Sequence, residues 1–404
     1  MQSRLIDIAK INPPENIRKD SIAKKISMDM LIPFTRDVPN FEYASYYGGS
    51  KFRNGDIIMA RITPCLENGK VSQINCLDED EIAFGSTEFI VFRARENVAD
   101  PNFLYYLICS PIIRENAIKS MIGTSGRQRV QIDAVANLVL EIPELEEQIK
   151  IGNILSKLED KISLNRKIND NLQQQTRAIF QSWFIDHPDA EGWLNGKLTE
   201  FILSMKNGDW GKDSPIGESS HQVYCVRGAD IPEVNVGNKG KMPTRFILSQ
   251  NYTQKRLQGG DLVVEISGGS PTQSTGRVAL ITQSLLDRYD SGMVCTNFCK
   301  AITPIKGTSM YLYHYWKYLY DKGCFFRYEN GTTGIKNLDI NGFLESEDIR
   351  VPPIALVYKF EEFCSEVFSH IAHNALTNER LAKLRDALIP QLMSGEIDVS
   401  SVDI

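Results

Sequence analysis

The stretch from Glu144 to Phe184 most strongly constrains what this chain can fold into. It contains no proline, and apolar or asparagine residues recur in it in alternating steps of four and three. This period is typical of a helix that pairs with another helix along a narrow seam, so a partner helix is required. The predicted seam positions are Ile151, Leu155, Leu158, Ile162, Asn165, Asn169, Leu172, Thr176, Ile179 and Trp183.

A partner helix is predicted within the same chain, 209 residues further on. Both seam asparagines return there in register, although Thr176 becomes Arg385 and Cys364 is only a weak hydrophobic residue. An asparagine buried in a seam costs stability and is used to fix register and partner choice. The second set of positions is Phe360, Cys364, Val367, Ile371, Asn374, Asn378, Leu381, Arg385, Leu388 and Leu392.

These positions leave the direction of pairing open. Antiparallel helices would place Asn165 against Asn378 and Asn169 against Asn374, near the middle of the seam. Parallel helices would also match asparagine with asparagine. The residues alone do not choose between the two arrangements.

The repeat extends beyond the helices, with offsets between 205 and 209 residues. A fixed period of short matches indicates a duplicated structural unit. The matching segments are residues 55–58 with 260–263, 69–71 with 276–278, 123–126 with 331–334, and 142–143 with 351–352.

The chain is therefore predicted to be an α+β protein with two tandem globular regions, each followed by a long helix. The expected limits are a first globular region at 1–143, a helix at 144–185, a linker and second globular region at 186–352, a second helix at 353–393, and a frayed tail at 394–404. Strands are predicted at 57–62, 71–74, 89–93, 138–142, 262–266, 278–281 and 298–302, and shorter helices at 102–119 and 310–322.

Composition places the chain among ordinary globular proteins of several domains, with 404 residues and 42% hydrophobic residues. The first residues lack the apolar core of a signal peptide, and the eight cysteines are scattered without a CxxC pair. We therefore expect a cytoplasmic protein with reduced thiols. The net charge of −6 argues only weakly against a nucleic-acid partner, because it says little about a local face.

The candidate catalytic motifs lack residues that the corresponding chemistry requires. Asn12-Pro13-Pro14 matches an adenine methyltransferase signature, but Glu15 stands where an aromatic residue should stack on the flipped base. No Walker A motif occurs, so no nucleotide loop is predicted.

Two charged or metal-ligand patterns on the long helices also have simpler explanations. Glu159, Asp160 and Lys161 fit a nuclease pattern, yet they are expected on the outer face of the first long helix as a solvated cluster. His370 and His373 are spaced like metal ligands but lack an obvious third ligand, so we expect them to flank the seam. The sequence predicts no catalytic residues, no metal site and no cofactor of its own.

Two pairs of repeated loops are better candidates for a binding site: 61–70 with 267–277, and 123–130 with 331–338. Their exposed N–H groups, hydroxyls and basic or amide side chains can hold phosphates and read base edges, although a purely structural pair of turns explains them as well. The candidate residues are Arg61, Thr63, Asn68, Lys70, Thr124, Ser125, Arg127, Gln128, Arg129, Ser267, Ser270, Gln273, Arg277, Thr332, Thr333, Lys336 and Asn337.

The order of globular region, long helix, globular region and long helix resembles the specificity (S) subunit of type I restriction–modification systems. The segments GTSGRQ, GTTGIKNL and ARITPCLENGK also look like sequences common in the recognition regions of that family. The resemblance covers nearly the whole chain. It implies two target recognition domains that each read one half of a split double-stranded DNA site. It also implies an antiparallel helix pair, about 60 Å long, that sets the gap between the halves.

The resemblance further implies a non-catalytic subunit. Two methyltransferase (M) subunits with S-adenosylmethionine, and two restriction (R) subunits with ATP and Mg, would join it without any membrane partner. Two alternatives stay open: a coiled-coil scaffold that does not read bases, and a stand-alone adenine methyltransferase using Asn12–Pro14. The target sequence and the gap length are not readable from the chain.

Overall fold

The computed structural model describes residues 2–124, 126–270, 272–331 and 335–402. The chain divides into two compact units, the first comprising Met1–Leu164 with Glu379–Ile404 and the second comprising Asn165–Asn378. Each long helix contributes one part to each unit. The predicted α+β class is confirmed by the mixture of strands, short helices and two long helices.

The first unit carries the strands β1 (Gln2–Arg4), β2 (Ala9–Ile11), β3 (Ile22–Ile26), β4 (Glu42–Ser45), β5 (Lys51–Phe52), β6 (Ile57–Ala60), β7 (Val71–Gln73), β8 (Ala83–Gly85), β9 (Phe89–Ala94) and β10 (Val139–Glu141). Its short helices are α1 (Leu5–Ile8), α2 (Pro101–Cys109), α3 (Pro111–Lys119) and α4 (Ile132–Ala136), with a 3-10 turn at Met28–Met30. The long helix α5 (Leu145–Phe180) begins in this unit.

The first unit is built on an antiparallel sheet in the order β2-β9-β6-β7. A second sheet has the order β4-β3-β8-β5, with β3 and β8 parallel, and β1 pairs with β10. Along β6, Ile57 and Met59 pack with the helices, whereas Ile58 packs in the core of the second sheet. Successive side chains of a strand point to opposite faces, so a strand covered on both faces reads as a continuous apolar run.

The second unit carries β11 (Leu194–Lys197), β12 (Ile202–Asn207), β13 (His221–Val226), β14 (Thr244–Ile247), β15 (Leu262–Glu265), β16 (Ser267–Gly268), β17 (Val278–Leu280), β18 (Met293–Cys295), β19 (Cys299–Pro304), β20 (Glu329–Asn330), β21 (Lys336–Leu338) and β22 (Asp348–Val351). Its helices are α6 (Ile231–Asn235), α7 (Ser249–Lys255), α8 (Gln283–Leu286), α9 (Ser309–Asp321), α10 (Ile340–Ser346) and the first part of α11 (Ile354–Met393). Single turns lie at Gln181–Ile185 (π), Ala190–Gly192, Leu198–Phe201, Gly228–Asp230 and Cys324–Tyr328 (3-10).

The second unit repeats the plan of the first. Its main sheet has the order β12-β19-β15-β17, β13 runs parallel to β18 beside it, and β11 pairs with β22. Val263 of β15 packs away from Leu262 and Val264, as Ile58 does from its neighbours in β6. The aromatic helix α9 is mostly buried, and Trp316 donates to the carbonyl of Gly276 at 2.8 Å. The short sheet β16-β21-β20 of this unit corresponds to two isolated bridges of the first unit, Ile62 with Arg129 and Ile122 with Arg129.

The two long helices run antiparallel within the second unit. Asn165 donates to Asn378 at 2.8 Å, and Asn374 donates to Asn169 at 2.9 Å. The Asn169 amide also donates to the carbonyl of Ile371 at 3.0 Å. A parallel pair would match Asn165 with Asn374, so these hydrogen bonds resolve the direction that the sequence left open.

The predicted seam residues are all at least half-buried. The buried ones are Ile151, Leu155, Ile162, Asn165, Asn169, Thr176, Phe360, Cys364, Ile371, Arg385 and Leu392. The half-buried ones are Leu158, Leu172, Ile179, Trp183, Val367, Asn374, Asn378, Leu381 and Leu388.

Within the first unit, the prediction that Glu159 lies in a solvated outer cluster is wrong. Glu159 is 2% exposed and forms an ion pair with Arg385, the residue that breaks the apolar seam pattern. A buried arginine requires a charged partner, and the carboxylate one turn from Leu155 supplies it. Asp160 and Lys161 are exposed, as expected.

Two further expectations about local structure are corrected. The helix predicted at 102–119 is broken into α2 and α3 at Ser110, because Pro111 begins a new helix and cannot continue the old one. The tail is not frayed over its described part: Val399 is 1% exposed in the core of the first unit, and Lys150 donates to the carbonyl of Ser400 at 2.7 Å.

We expect Asn169→Ala to lower the free energy of unfolding by about 1–3 kcal/mol, since Asn169 is buried and its loss leaves the amide of Asn374 and the carbonyl of Ile371 without their partner. Denaturant titration measures this loss. The matched control is Asn171→Ala on the exposed face of the same helix, expected to change stability by no more than about 0.5 kcal/mol. Equal losses in the two variants would show that the seam pair is not specifically stabilising.

Candidate nucleic-acid interface

The two loops predicted from the repeat, 61–70 and 123–130, lie side by side in the first unit. The N–H of Thr63 donates to the carbonyl of Gln128 at 3.1 Å, and the N–H of Val130 donates to the carbonyl of Arg61 at 2.8 Å. The second loop closes on itself through two hydrogen bonds between Ile122 and Arg129, of 3.0 and 2.9 Å. Residues far apart in sequence therefore form one surface.

A third loop, residues 86–88, joins this surface and was missed by sequence reasoning. The N–H of Arg61 donates to the carbonyl of Glu88 at 2.9 Å, and the Glu88 carboxylate accepts from Nε and Nη2 of Arg129 at 3.0 and 2.6 Å. This hydrogen bonding by the Arg129 guanidinium holds the pKa of Glu88 below its usual value. The sequence indicates this loop only weakly, in that Ser86 recurs as Thr296. In the structure, each of these two hydroxyls accepts from the backbone N–H two residues later.

The second unit builds the same three-loop arrangement. The N–H of Leu338 donates to the carbonyl of Ile266 at 2.8 Å, and the N–H of Ile266 donates to the carbonyl of Phe298 at 2.9 Å. Ser267 pairs with Asn337 in the ladder between β16 and β21, and the Ser267 hydroxyl donates to the Asn337 amide oxygen at 2.6 Å.

Acidic residues hold two of the basic side chains of the second unit. Lys336 donates to Glu329 at 2.8 Å. Burial would raise the pKa of Glu329, but Lys336 and the Thr275 donors outweigh it and lower that pKa. Arg277 makes two hydrogen bonds to the buried Glu265, which raises the pKa of the guanidinium. Through its two hydrogen bonds to Glu265, Arg277 helps to stabilise the loop.

The candidate residues differ in how much of each side chain is free to meet a ligand. Those exposed are Asn68, Thr124, Arg127, Arg129, Gln273 and Asn337, and those half-buried are Arg61, Thr63, Lys70, Gln128, Ser267, Ser270, Arg277 and Lys336. Ser125, Thr332 and Thr333 lie outside the described residues. Thr63 donates to the carbonyl of Gln128 and Lys70 to that of Met28, so both also brace the loop.

Gly123 and Gly331 occupy matching positions, at which another part of the backbone lies very close to the glycine Cα. A Cβ on Gly123 would lie 2.6 Å from the carbonyl oxygen of Arg127, and one on Gly331 would lie 2.7 Å from that of Ile335. Both distances are too short for any side chain. The two glycines thus explain why the GT segments repeat: each lets a tight loop close.

The remaining motifs have structural roles. Asn12 ends β2 as a turn with φ of 47°: its N–H donates to the carbonyl of Val91, and its side-chain oxygen accepts from the N–H of Val91. Glu15 pairs with Arg93 at 2.6 Å. His370 and His373 are exposed, and the described part of the chain has no group of three side chains placed to hold a metal. Over the same residues, no helix has both the length and the apolar character that crossing a bilayer requires.

Comparison with known proteins gives consistent matches. The family model for the type I restriction modification DNA specificity domain matches residues 1–174. The chain is 25% identical over 411 residues to the specificity subunit of the type I restriction enzyme HindI of Haemophilus influenzae, covering 85% of this chain and 87% of that one. It is 24% identical over 328 residues to the MjaIX specificity subunit of Methanocaldococcus jannaschii, covering 74% and 70%.

A solved structure with a similar fold is the S subunit of a type I restriction–modification system from M. genitalium. The TM-score is 0.53 at 14% sequence identity, and the match covers 97% of this chain and 95% of that one. At this identity the likeness supports the fold.

Proposed function

Since the chain belongs to the type I restriction–modification DNA specificity subunits, we propose that it reads a split DNA site, one half with each globular region. Residues 1–143 form the first target recognition domain and residues 186–352 form the linker and the second. The helices at 144–185 and 353–393 set the gap. The observation that carries this proposal is that the three-loop surface is built twice, with matching hydrogen bonds in each unit.

Two reading surfaces on one chain favour a bipartite target. A single surface can follow only a short run of base pairs, and two surfaces related by a duplication suit half-sites about one helical turn apart. We infer that the seam asparagines Asn165, Asn169, Asn374 and Asn378 fix one register of the helix pair through their hydrogen bonds, so that the gap has one defined length.

The subunit is non-catalytic, and it directs other subunits to DNA. We infer that two methyltransferase subunits supply S-adenosylmethionine chemistry, and that two restriction subunits with ATP and Mg can join them. The complex acts on double-stranded DNA in the cytoplasm, where the eight free cysteines stay reduced.

The decisive experiment is a base-resolved map of N6-methyladenine in host DNA, with and without this chain. Deleting the chain should remove methylation from one motif made of two short blocks around a fixed gap. An unchanged map, followed by binding of the full complex to DNA that is negligible at every salt concentration, would contradict the proposal, because phosphate contacts make true DNA binding steeply dependent on salt.

Substituting the two closing glycines should separate the half-sites. In Gly123→Ala the new methyl group cannot fit against the carbonyl oxygen of Arg127, so the rate of methylation should fall by about tenfold or more. Only changes in the DNA sequence of the first half-site should restore that rate. Gly331→Ala should do the same for the second. The matched control is Gly192→Ala, where a Cβ meets no atom within 4 Å. Identical losses at sites that share either half would mean that both glycines serve only the general fold.

A further inference from the structure

The two reading surfaces share one backbone frame, so their side chains can be compared position by position. Arg61 and Ile266 correspond, because the N–H of each donates to the third loop and the carbonyl of each accepts from the end of the second loop. Arg127 and Ile335 correspond through the contacts of Gly123 and Gly331. The five matched pairs are Arg61 with Ile266, Glu88 with Phe298, Arg127 with Ile335, Gln128 with Lys336, and Arg129 with Asn337.

The first unit places arginine at three of these positions, Arg61, Arg127 and Arg129. Arg127 is exposed and takes part in no ion pair among the described residues. The Arg129 side chain is 45% exposed, and Glu88 binds only its Nε and Nη2 edge. A guanidinium carries five N–H donors, so the outer edge of Arg129 keeps about three of them for a ligand, while Glu88 holds the plane in place.

The second unit places apolar side chains at three of these positions, Ile266, Phe298 and Ile335. Phe298 is 57% exposed and Ile335 is 55% exposed, so both present apolar surface to a ligand. The one cation of the set, Lys336, is held by Glu329 and lies 5.0 Å from the ring centre of Phe326. Exposed apolar groups at a binding surface indicate an apolar feature on the ligand.

In the major groove, arginine is matched by the two acceptors of guanine, and an apolar side chain is matched by the C5 methyl group of thymine. We propose that the half-site read by the first unit contains a guanine contacted by Arg127 or Arg129, and that the half-site read by the second contains a thymine whose methyl group packs against Phe298 and Ile335. This inference rests on the proposed function, and it assigns a base chemistry to each half.

The test uses the complex of the full chain with its methyltransferase subunits on synthetic duplexes that carry the mapped site. Replacing the contacted guanine by 7-deazaguanine removes N7 and should slow methylation by about tenfold. Replacing the contacted thymine by uracil removes one methyl group and should slow it by about fourfold. Both arms use the wild-type protein, so they hold even where a variant fails to fold.

Variants then assign each base to its unit. Arg129→Gln and Arg127→Gln should relax the guanine position in the methylation map, and the affected variant should become insensitive to 7-deazaguanine. Phe298→Ala should lose its sensitivity to uracil. In each case the other half-site stays unchanged and serves as the internal control.

Particular results overturn the proposal. One is a first half-site without guanine, or with unchanged rates on 7-deazaguanine. The other is a second half-site in which uracil at every thymine leaves the rate unchanged. Failure of the proposed function looks different, because the wild-type map would then contain no split motif at all.

Discussion

Replacing Glu159 by alanine should lower the free energy of unfolding by about 3–5 kcal/mol, the usual cost of breaking a buried ion pair from one side. Arg385 is 8% exposed and Glu159 is 2% exposed, so the remaining guanidinium would stay in a site with little water. Arg385 would keep Asp386, but that carboxylate is mostly exposed and screened by solvent. Urea titration, together with hydrogen exchange along α5, measures the effect.

Two further variants make this result specific. Replacing both partners, Glu159→Leu with Arg385→Leu, should recover most of the loss, because two apolar groups of similar size leave no charge buried. Glu115→Ala is the matched control, since Glu115 and Lys119 form an exposed pair, for which about 0.5 kcal/mol or less is expected. A single-variant loss near that of the control would contradict the account of Arg385 as a residue that depends on its partner.

The long helices could be predicted because the residue pattern that specifies them is periodic and lies within each helix. The sequence alone shows the spacing of the seam residues, the two asparagines and the offset of 209 residues. The direction of pairing could not be predicted, since the asparagine pattern matches itself in both senses. Glu159 was misplaced for a related reason: its partner Arg385 looks like a defect in the seam until the two are brought together.

The reading surfaces were predictable only in part. The glycine segments repeat because a close backbone contact forbids a side chain at Gly123 and Gly331, and such constraints leave a mark on the sequence. The third loop has almost no repeated sequence pattern, because Glu88 and Phe298 accept hydrogen bonds through their backbone carbonyls and their side chains differ. Long-range pairs such as Arg129 with Glu88 depend on the fold and cannot be read from spacing.

Acidification should destabilise the second unit through His314, which is buried among the rings of Phe180, Phe360 and Phe368. Burial lowers the pKa of His314 to about 4, helped by the nearby cations Arg177 and Lys317 and opposed by its hydrogen bond with the carbonyl of Met310. In the unfolded chain the imidazole titrates near its ordinary value of about 6.5. The unfolded state therefore binds the extra proton first as the pH falls.

The sign and size of the effect follow from this difference. Stability should be unaffected by His314 above about pH 7 and should fall as the pH drops through the interval between about 6.5 and 4, by about 3 kcal/mol in all. His314→Phe keeps an aromatic ring, as Tyr106 does at the matching position of α2, and removes the titrating group. The difference between the variant and the wild type, measured by denaturant titration at several pH values, isolates this contribution from that of the carboxylates.

The control for this comparison is His373→Gln, which removes an exposed imidazole from the same chain. It should leave the fall in stability below pH 6.5 in place, whereas His314→Phe should flatten it. If both variants keep the wild-type slope, then His314 is protonated in the folded state at little cost. Water or a carboxylate must in that event reach the ring, and the packing of α9 against the long helices is looser than the buried contacts of Phe180 and Phe360 imply.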